Sequence, residues 1–89
     1  MLTIRYTAHF SRKYKKLPSD IKDEAEKKEQ LLRKNPFDPQ LRTHKLEGKL
    51  KKFWSFSVTH EIRVLFTFEG DTIILFHTIG AHDIYKNFL

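Results

Sequence analysis

The sequence predicts one α+β domain over residues 1–89, in which a small antiparallel sheet carries two N-terminal helices on one face. Three observations predict this fold class: an alternating apolar and polar pattern at the N-terminus, two helical segments that end by residue 35, and aromatic and β-branched runs from residue 53 onward. The 89 residues, 39% of them hydrophobic, are enough for one modest core. We therefore expect the element order β-α-α-β-β-β.

The first half of the chain carries one strand and both helices. Residues 2–6 alternate apolar and polar side chains, which is typical of a half-buried strand. The next apolar residues have the spacing of one helix face: Phe10, Tyr14 and Leu17. Pro18 ends that helix, Ser19 or Asp20 can cap a second one, and Asn35 with the proline after it stops the second helix.

Three runs in the second half predict consecutive antiparallel strands: residues 53–58, 62–66 and 72–79. Because side chains alternate along a strand, the apolar positions 62, 64 and 66 face the core, and Glu61 and Arg63 face the open side of the sheet. If residues 59 and 60 form a two-residue turn, Phe56 lies opposite Arg63, with Trp54 beyond. This register places a carboxylate and a guanidinium between two aromatic rings. Such a surface could bind a phosphate and stack a base. The two charges could also form an ordinary surface ion pair.

The formal net charge of +6 is unevenly distributed along the chain. Residues 1–52 carry 15 Lys and Arg against 7 Asp and Glu, a net +8, whereas residues 53–89 carry 2 against 4, a net −2. The basic residues form two dense clusters: Arg12, Lys13, Lys15 and Lys16, then Lys45, Lys49, Lys51 and Lys52. A positive electrostatic field of this kind attracts polyanions such as nucleic acid. The same basic residues could instead bind an acidic protein partner, or they could form a solvated surface that only confers solubility.

Several classes of protein are excluded by composition. The absence of cysteine excludes disulfides, thiolate zinc sites and a Cys nucleophile, and the three glycines are too far apart for a phosphate-binding loop. No His, Asp and Glu spacing matches a common metal motif, so we expect no metal and no cofactor. The apolar runs are too short for a membrane span and the N-terminus lacks the apolar core of a signal peptide, which predicts a cytoplasmic protein without membrane contact.

The residues after the last strand add two candidate functional side chains. Gly80 permits a bend that brings His82 and Tyr85 to the edge of the sheet. Together with Glu61 and Arg63, a histidine completes the set needed for metal-free RNA cleavage: a base for the ribose 2′-OH, a cation for the phosphate, and an acid for the leaving 5′-oxygen. The alternative interpretation is that His82 is an ordinary surface residue without a catalytic role.

Four segments resemble the RelE/ParE toxin superfamily, most closely its RelE/StbE, YafQ-like and YoeB-like branches: His44–Gly48, Phe53–Ser55, Glu61–Phe66 and Ile79–Tyr85. Their order and spacing are more specific than any one motif, and the resemblance covers nearly the whole chain. It implies a RelE-like fold and the toxin of a type II toxin–antitoxin pair. It also implies a metal-independent mRNA endoribonuclease that cleaves translated mRNA in the ribosomal A site and leaves a 2′,3′-cyclic phosphate.

The resemblance also implies residue roles. Glu61 matches the general base of YoeB-like members, Arg63 the arginine that stabilises the transition state, and His82 the general acid. Tyr85 matches an aromatic residue that stacks on or orients the substrate. His44 opens a His-x-Leu-x-Gly segment that is implicated in the activity of YafQ-like members.

The sequence departs from the family where relatives carry basic residues. Trp54 and Phe56 stand where RelE-like toxins place catalytic lysines, and Ser57 stands where YafQ-like toxins carry a histidine. Any activity must therefore rest on Glu61, Arg63 and His82. We expect RNA contacts from the second basic cluster and the two aromatic residues: Lys45, Lys49, Lys51, Lys52, Trp54 and Phe56.

The partners implied by the resemblance are a cognate antitoxin, in a hetero-oligomer, and the ribosome with its mRNA and rRNA. Two other functions stay open. A ParE-like toxin would inhibit DNA gyrase without cutting RNA, and an inactive relic would only bind an antitoxin. A pure binding module has no need of a Glu, Arg and His set, which favours the nuclease.

Overall fold

A computed structural model describes residues 2–87, which form a five-stranded sheet with helices. The strands are β1 Thr3–Tyr6, β2 His44–Lys45, β3 Trp54–Ser57, β4 Arg63–Glu69 and β5 Ile73–Gly80. The helices are α1 Ala8–Lys15, α2 Ser19–Lys34 and α3 Ile84–Asn87, and short 3₁₀ turns span Pro39–Leu41 and Gly48–Leu50. None of the helices in this part of the chain is long and apolar enough to cross a bilayer.

The sheet has the order β1-β5-β4-β3-β2. The predicted meander of β3, β4 and β5 is antiparallel and the α+β class is confirmed, but β1 joins the edge of β5 in parallel, which the predicted antiparallel sheet did not include. The strand β2 and the helix α3 were also not predicted. Two residues are too few to give a strand pattern, and the alternation in β1 does not say which strand it will pair with.

The N-termini of α1 and α2 are capped differently. Thr7 caps α1, because its Oγ1 accepts a hydrogen bond from the backbone N–H of Phe10 at 3.0 Å. The predicted caps of α2 are wrong: Ser19 and Asp20 lie inside its first turn, and Pro18 occupies the N-cap position without a side-chain hydrogen bond. The ring of Pro18 restricts φ to about −60°, a value compatible with the start of a helix. The helix α2 therefore begins at a residue that has no polar side chain to cap it.

The core lies between the sheet and the two long helices. Its buried members are Ile4, Phe10, Ala25, Leu32, Leu41, Phe56, Val58, Val64, Phe66, Ile74, Phe76 and Ile79. Phe10 from α1 and Phe56 from β3 both pack on Phe76, with ring centroids 5.3 and 5.5 Å away. The apolar alternation along each strand therefore selects the face that the helices cover.

The register of β3 and β4 differs by one residue from the expected one. The connection spans residues 58–62, so Ser57 lies opposite Arg63 and Phe56 lies opposite Val64. Because a slip of one residue moves every side chain to the other face, Trp54 and Phe56 face the helices and not the open side. The expected frame of two aromatic rings around Arg63 is wrong.

Replacing Phe56 with alanine is expected to lower the free energy of unfolding by about 3–5 kcal/mol, because the side chain is only 1% exposed and its removal leaves a cavity. Urea unfolding of Phe56→Ala measures this loss. The matched control is Phe37→Ala, which removes a ring that is 55% exposed and should cost no more than about 1 kcal/mol. Unchanged stability with weaker RNA binding would contradict the core placement of Phe56.

We call the sheet surface opposite α1 and α2 the open face. Cross-strand pairing aligns one row of it from β2 to β5: His44, Ser55, Leu65 and Thr78. The next row consists of Ser57, Arg63 and Gly80. After Gly80 the chain turns back, so that α3 lies against β5 and partly covers this face.

Candidate active site

Arg63 is fixed at the start of β4 by the residue opposite it. Its Nη1 donates a hydrogen bond to Ser57 Oγ at 2.7 Å, and Ser57 is itself buried. The ion pairs within residues 2–87 all lie on α2, so Arg63 has no carboxylate partner in that range. A half-buried guanidinium that is oriented by a serine and keeps further N–H donors is suited to an anionic oxygen ligand.

Tyr85 connects the C-terminal helix to the middle of the sheet. Its hydroxyl lies 2.9 Å from Ser55 Oγ, and Ser55 is 0% exposed. His82 packs edge-on against the Tyr85 ring, with centroids 4.9 Å apart and planes at 85°. This hydrogen bond and ring contact hold the exposed His82 two residues after Gly80, which pairs with Arg63.

His44 is placed on the same face by its pairing with Ser55. Its Nδ1 lies 3.1 Å from the carbonyl oxygen of Arg42, a residue with a left-handed backbone at φ 53°. Because a carbonyl oxygen only accepts, Nδ1 must be the donor, and the neutral ring then carries its lone pair on Nε2. The exposed His44 can therefore accept a proton at Nε2.

Glu61 lies in the connection that precedes β4. It sits in the 58–62 connection and not on β4, because Thr59 Oγ1 accepts hydrogen bonds from the N–H groups of Glu61 and Ile62 at 3.2 and 3.1 Å. The Glu61 side chain is exposed, and none of the hydrogen bonds or ion pairs recorded among the described residues joins it to Arg63 or His82. Glu61 was expected on the same strand as Arg63, but β4 begins at Arg63, so Glu61 is not part of this strand.

The predicted RNA-contacting lysines are exposed but lie elsewhere on the sheet. Lys49, Lys51 and Lys52 occupy the connection before β3, at the end of the sheet opposite the 58–62 connection. Lys45 pairs with Trp54, so it shares the face that the helices cover. Trp54 is half-buried and packs edge-on against Phe68 with centroids 5.5 Å apart.

A third histidine occupies the open face beside the site. The β4–β5 pairing shifts by one residue, so that His77 is an extra residue on β5. His77 Nε2 lies 2.8 Å from Thr67 Oγ1, which donates to Glu69 at 3.2 Å, and the Phe53 ring lies edge-on with centroids 5.0 Å apart. Burial lowers the pKa of His77, and the charge of Glu69 opposes part of that effect. His77 therefore links β5 to β4 through its contact with Thr67.

Sequence reasoning missed the two serines that organise the site. Ser55 and Ser57 alternate with Trp54 and Phe56 along β3, and small polar residues at every second position of an aromatic strand can mark the face that carries the polar chemistry. Ser57 holds Arg63 and Ser55 contacts Tyr85, while His44 pairs with Ser55 and His82 packs on Tyr85. Within residues 2–87 no three His, Cys, Asp or Glu side chains are grouped as metal ligands would be.

Comparison with solved structures shows that the fold is shared with bacterial toxins. YafQ from E. coli strain BL21(DE3) aligns with a TM-score of 0.77 at 19% identity, over 96% of this chain and 98% of that one. A YoeB/ParE toxin from Agrobacterium tumefaciens aligns with a TM-score of 0.78 at 15% identity, over 91% and 99% of the two chains. A chain of the toxin–antitoxin complex RelBE2 from Mycobacterium tuberculosis aligns with a TM-score of 0.77 at 19% identity, over 91% and 98%.

The family comparison is more specific than the fold. A search of curated protein sequences gives no significant match. The model of a family described as "Bacterial toxin of type II toxin-antitoxin system, YafQ" matches residues 2–86, which is nearly all of the chain. The segments predicted to resemble RelE/ParE toxins lie within this match. The chain belongs to the YafQ family of type II toxin–antitoxin toxins.

Proposed function

We propose that this toxin is a metal-independent endoribonuclease that cleaves translated mRNA in the ribosomal A site. The proposal is supported by the contacts of two buried serines on one face of β3: Ser57 holds Arg63, and Ser55 contacts Tyr85. His44 pairs with Ser55, and His82 packs on Tyr85. A module that only bound a protein partner would not need a proton acceptor, a proton donor and a phosphate-binding cation side by side.

In the proposed reaction, His44 Nε2 removes the proton of a ribose 2′-OH, and the 2′-oxygen attacks the adjacent phosphorus. Arg63 stabilises the negative charge that develops on the non-bridging phosphate oxygens. His82 gives a proton to the 5′-oxygen as the bond between phosphorus and that oxygen breaks. The products are a 2′,3′-cyclic phosphate and a 5′-hydroxyl, and each histidine ends in the protonation state in which the other began. Tyr85 orients His82 and offers a ring edge to the substrate.

The choice of His44 rather than Glu61 as the base rests on position. His44 shares the row of Ser55, whose hydroxyl contacts Tyr85, whereas Glu61 is held in the connection by its own backbone N–H. A base must reach the proton it removes within hydrogen-bond distance, directly or through one water. Glu61 remains the alternative base, and the experiment below separates the two residues.

We also propose that the chain is neutralised by a cognate antitoxin in a hetero-oligomer. The E. coli DinJ–YafQ toxin–antitoxin complex contains a chain that aligns with a TM-score of 0.73 at 20% identity, over 91% of this chain and 92% of that one. The net charge of +6 favours an acidic segment in that partner and also favours rRNA on the ribosome.

Primer extension on an mRNA translated in a purified system tests the proposal. In-frame cuts are expected with the wild type, and the cleavage rate of His82→Ala should fall about 10²–10⁴-fold while ribosome binding is retained. His44→Ala should lose activity to a similar extent and Glu61→Gln should retain it. The reverse result would assign the base to Glu61.

Two outcomes would contradict the nuclease. Absence of cuts with unimpaired translation would point to a gyrase inhibitor, and a supercoiling assay would then decide between the two. Normal growth on strong expression without an antitoxin would indicate a relic that only binds its partner.

A further inference from the structure

A polar cavity of about 180 Å³ lies beside the candidate active site. It is lined by Lys28, Gln40, Arg42, Ser57, Val58, Thr59 and His60. The space is several times the roughly 30 Å³ that one water occupies in the liquid, so it is large enough for a small anion with some of its waters. Lys28, Gln40 and His60 take no part in the candidate active site.

The cavity exists because the sheet edge is incomplete at this point. β2 pairs only with Trp54 and Ser55, so the outer edge of β3 at Ser57 has no strand partner within residues 2–87. The chain that would continue β2 instead passes through the left-handed residue Arg42. Unpaired edges and turns of this kind present backbone N–H groups that favour anions.

The lining is rich in hydrogen-bond donors and cations. Ser57 Oγ already accepts from Arg63, and Thr59 Oγ1 accepts from two backbone N–H groups, so both hydroxyl hydrogens remain to be donated. Arg42 and Lys28 supply two basic side chains, and Lys28 Nζ also contacts Glu24, 3.3 Å away on the same helix. Gln40 and His60 complete the lining, which contains no carboxylate.

Ser57 belongs to both places, since its hydroxyl binds Arg63 on the open face and its residue lines the cavity. The cavity is therefore adjacent to the residue that orients Arg63. We propose that the cavity formed by Arg42, Lys28, Gln40 and Thr59 is a phosphate subsite that binds the RNA backbone one linkage away from the bond that is cleaved. This inference rests on the proposed ribonuclease function, and it commits the subsite to a non-scissile phosphate.

Inorganic phosphate titrated into the full chain and followed through amide NMR resonances tests the subsite without RNA. Saturable shifts are expected at Gln40, Thr59 and His60, with an affinity about tenfold lower in Arg42→Ala because a charged hydrogen bond is lost. Alanine keeps the Cβ and the carbonyl that contacts His44, so the loop geometry is retained. The control Arg5→Ala removes the same charge at the opposite edge of the sheet and should bind phosphate like the wild type. Absent shifts, or equal affinity in Arg42→Ala, would overturn the proposal.

A series of short RNAs tests whether the ligand is the RNA backbone. Each RNA carries a 2′-deoxy sugar at the cleavage position, which prevents cutting, and one neutral methylphosphonate linkage at a varied position. Neutralising the linkage next to the cleavage position should weaken binding about tenfold in the wild type and little in Arg42→Ala. An equal loss in both proteins would overturn the RNA assignment. Phosphate binding without any ribosome-dependent cleavage would contradict the proposed function but would still support an anion site in the cavity.

Discussion

Replacing Arg63 with alanine is expected to reduce mRNA cleavage by about 10³-fold, the cost of removing one preorganised charge partner of a transition state. The effect is large because Arg63 is the cation that Ser57 orients on the open face, at 2.7 Å, and no ion pair within residues 2–87 competes for it. Single-turnover cleavage on translating ribosomes measures the loss. Urea unfolding should show a change of no more than about 1–2 kcal/mol, since one hydrogen bond to Ser57 is lost.

Two matched variants separate the charge of Arg63 from its orientation. Arg63→Lys keeps a positive charge but lacks the planar fork of donors, so it should recover only part of the activity. Ser57→Ala keeps the guanidinium but removes its hydrogen bond, and we expect kcat to fall about tenfold. Cleavage by Arg63→Ala at the wild-type rate would contradict the role of this residue.

Replacing Gly80 with alanine is expected to reduce cleavage by about 10²-fold, because it displaces the segment that carries His82, the proposed general acid. A Cβ at this position would lie 2.6 Å from Ile84 Cγ2, and Ile84 is only 5% exposed. A β-branched side chain cannot easily rotate away, so α3 must move. That movement separates Tyr85 from Ser55 and takes His82 away from the open face.

The double variant Gly80→Ala/Ile84→Ala is the control for this steric argument. Truncating Ile84 removes the methyl that the new Cβ would meet, so cleavage should recover relative to Gly80→Ala alone. Ile84→Ala by itself should cost stability but retain most of the activity. Full activity in Gly80→Ala would contradict the close packing of α3 on β5.

The sequence predicted the features that depend on strict alternation. Within β4 the apolar Val64 and Phe66 face the core and Arg63 faces the open side, as the period of two requires. The register of the neighbouring strand could not be predicted in the same way. Thr59 folds back over the connection and accepts two backbone N–H groups, so five residues join β3 and β4 where a two-residue turn was expected.

Part of the candidate site was predictable from sequence motifs. Arg63, His82, Tyr85 and His44 were identified from motifs, because their residue types carry the chemistry that the resemblance implies. Ser55 was missed, although it contacts Tyr85 and pairs with His44, because a serine has no distinctive pattern of its own. Its importance comes from contacts between residues 30 positions apart, which only the folded chain creates.

The parallel pairing of β1 with β5 has a consequence for the order of folding. Thr3 pairs with Ile73, so this edge requires closure of most of the chain, whereas the β3–β4–β5 meander closes through short connections. Contacts between distant positions cost more loop entropy and form more slowly than local ones. The meander that carries Arg63 and both serines can therefore assemble early, and the N-terminal strand that anchors α1 and α2 docks late. The open face is therefore formed by strands whose contacts are local and form quickly. The helices on the other face depend on the β1–β5 pairing, which forms slowly.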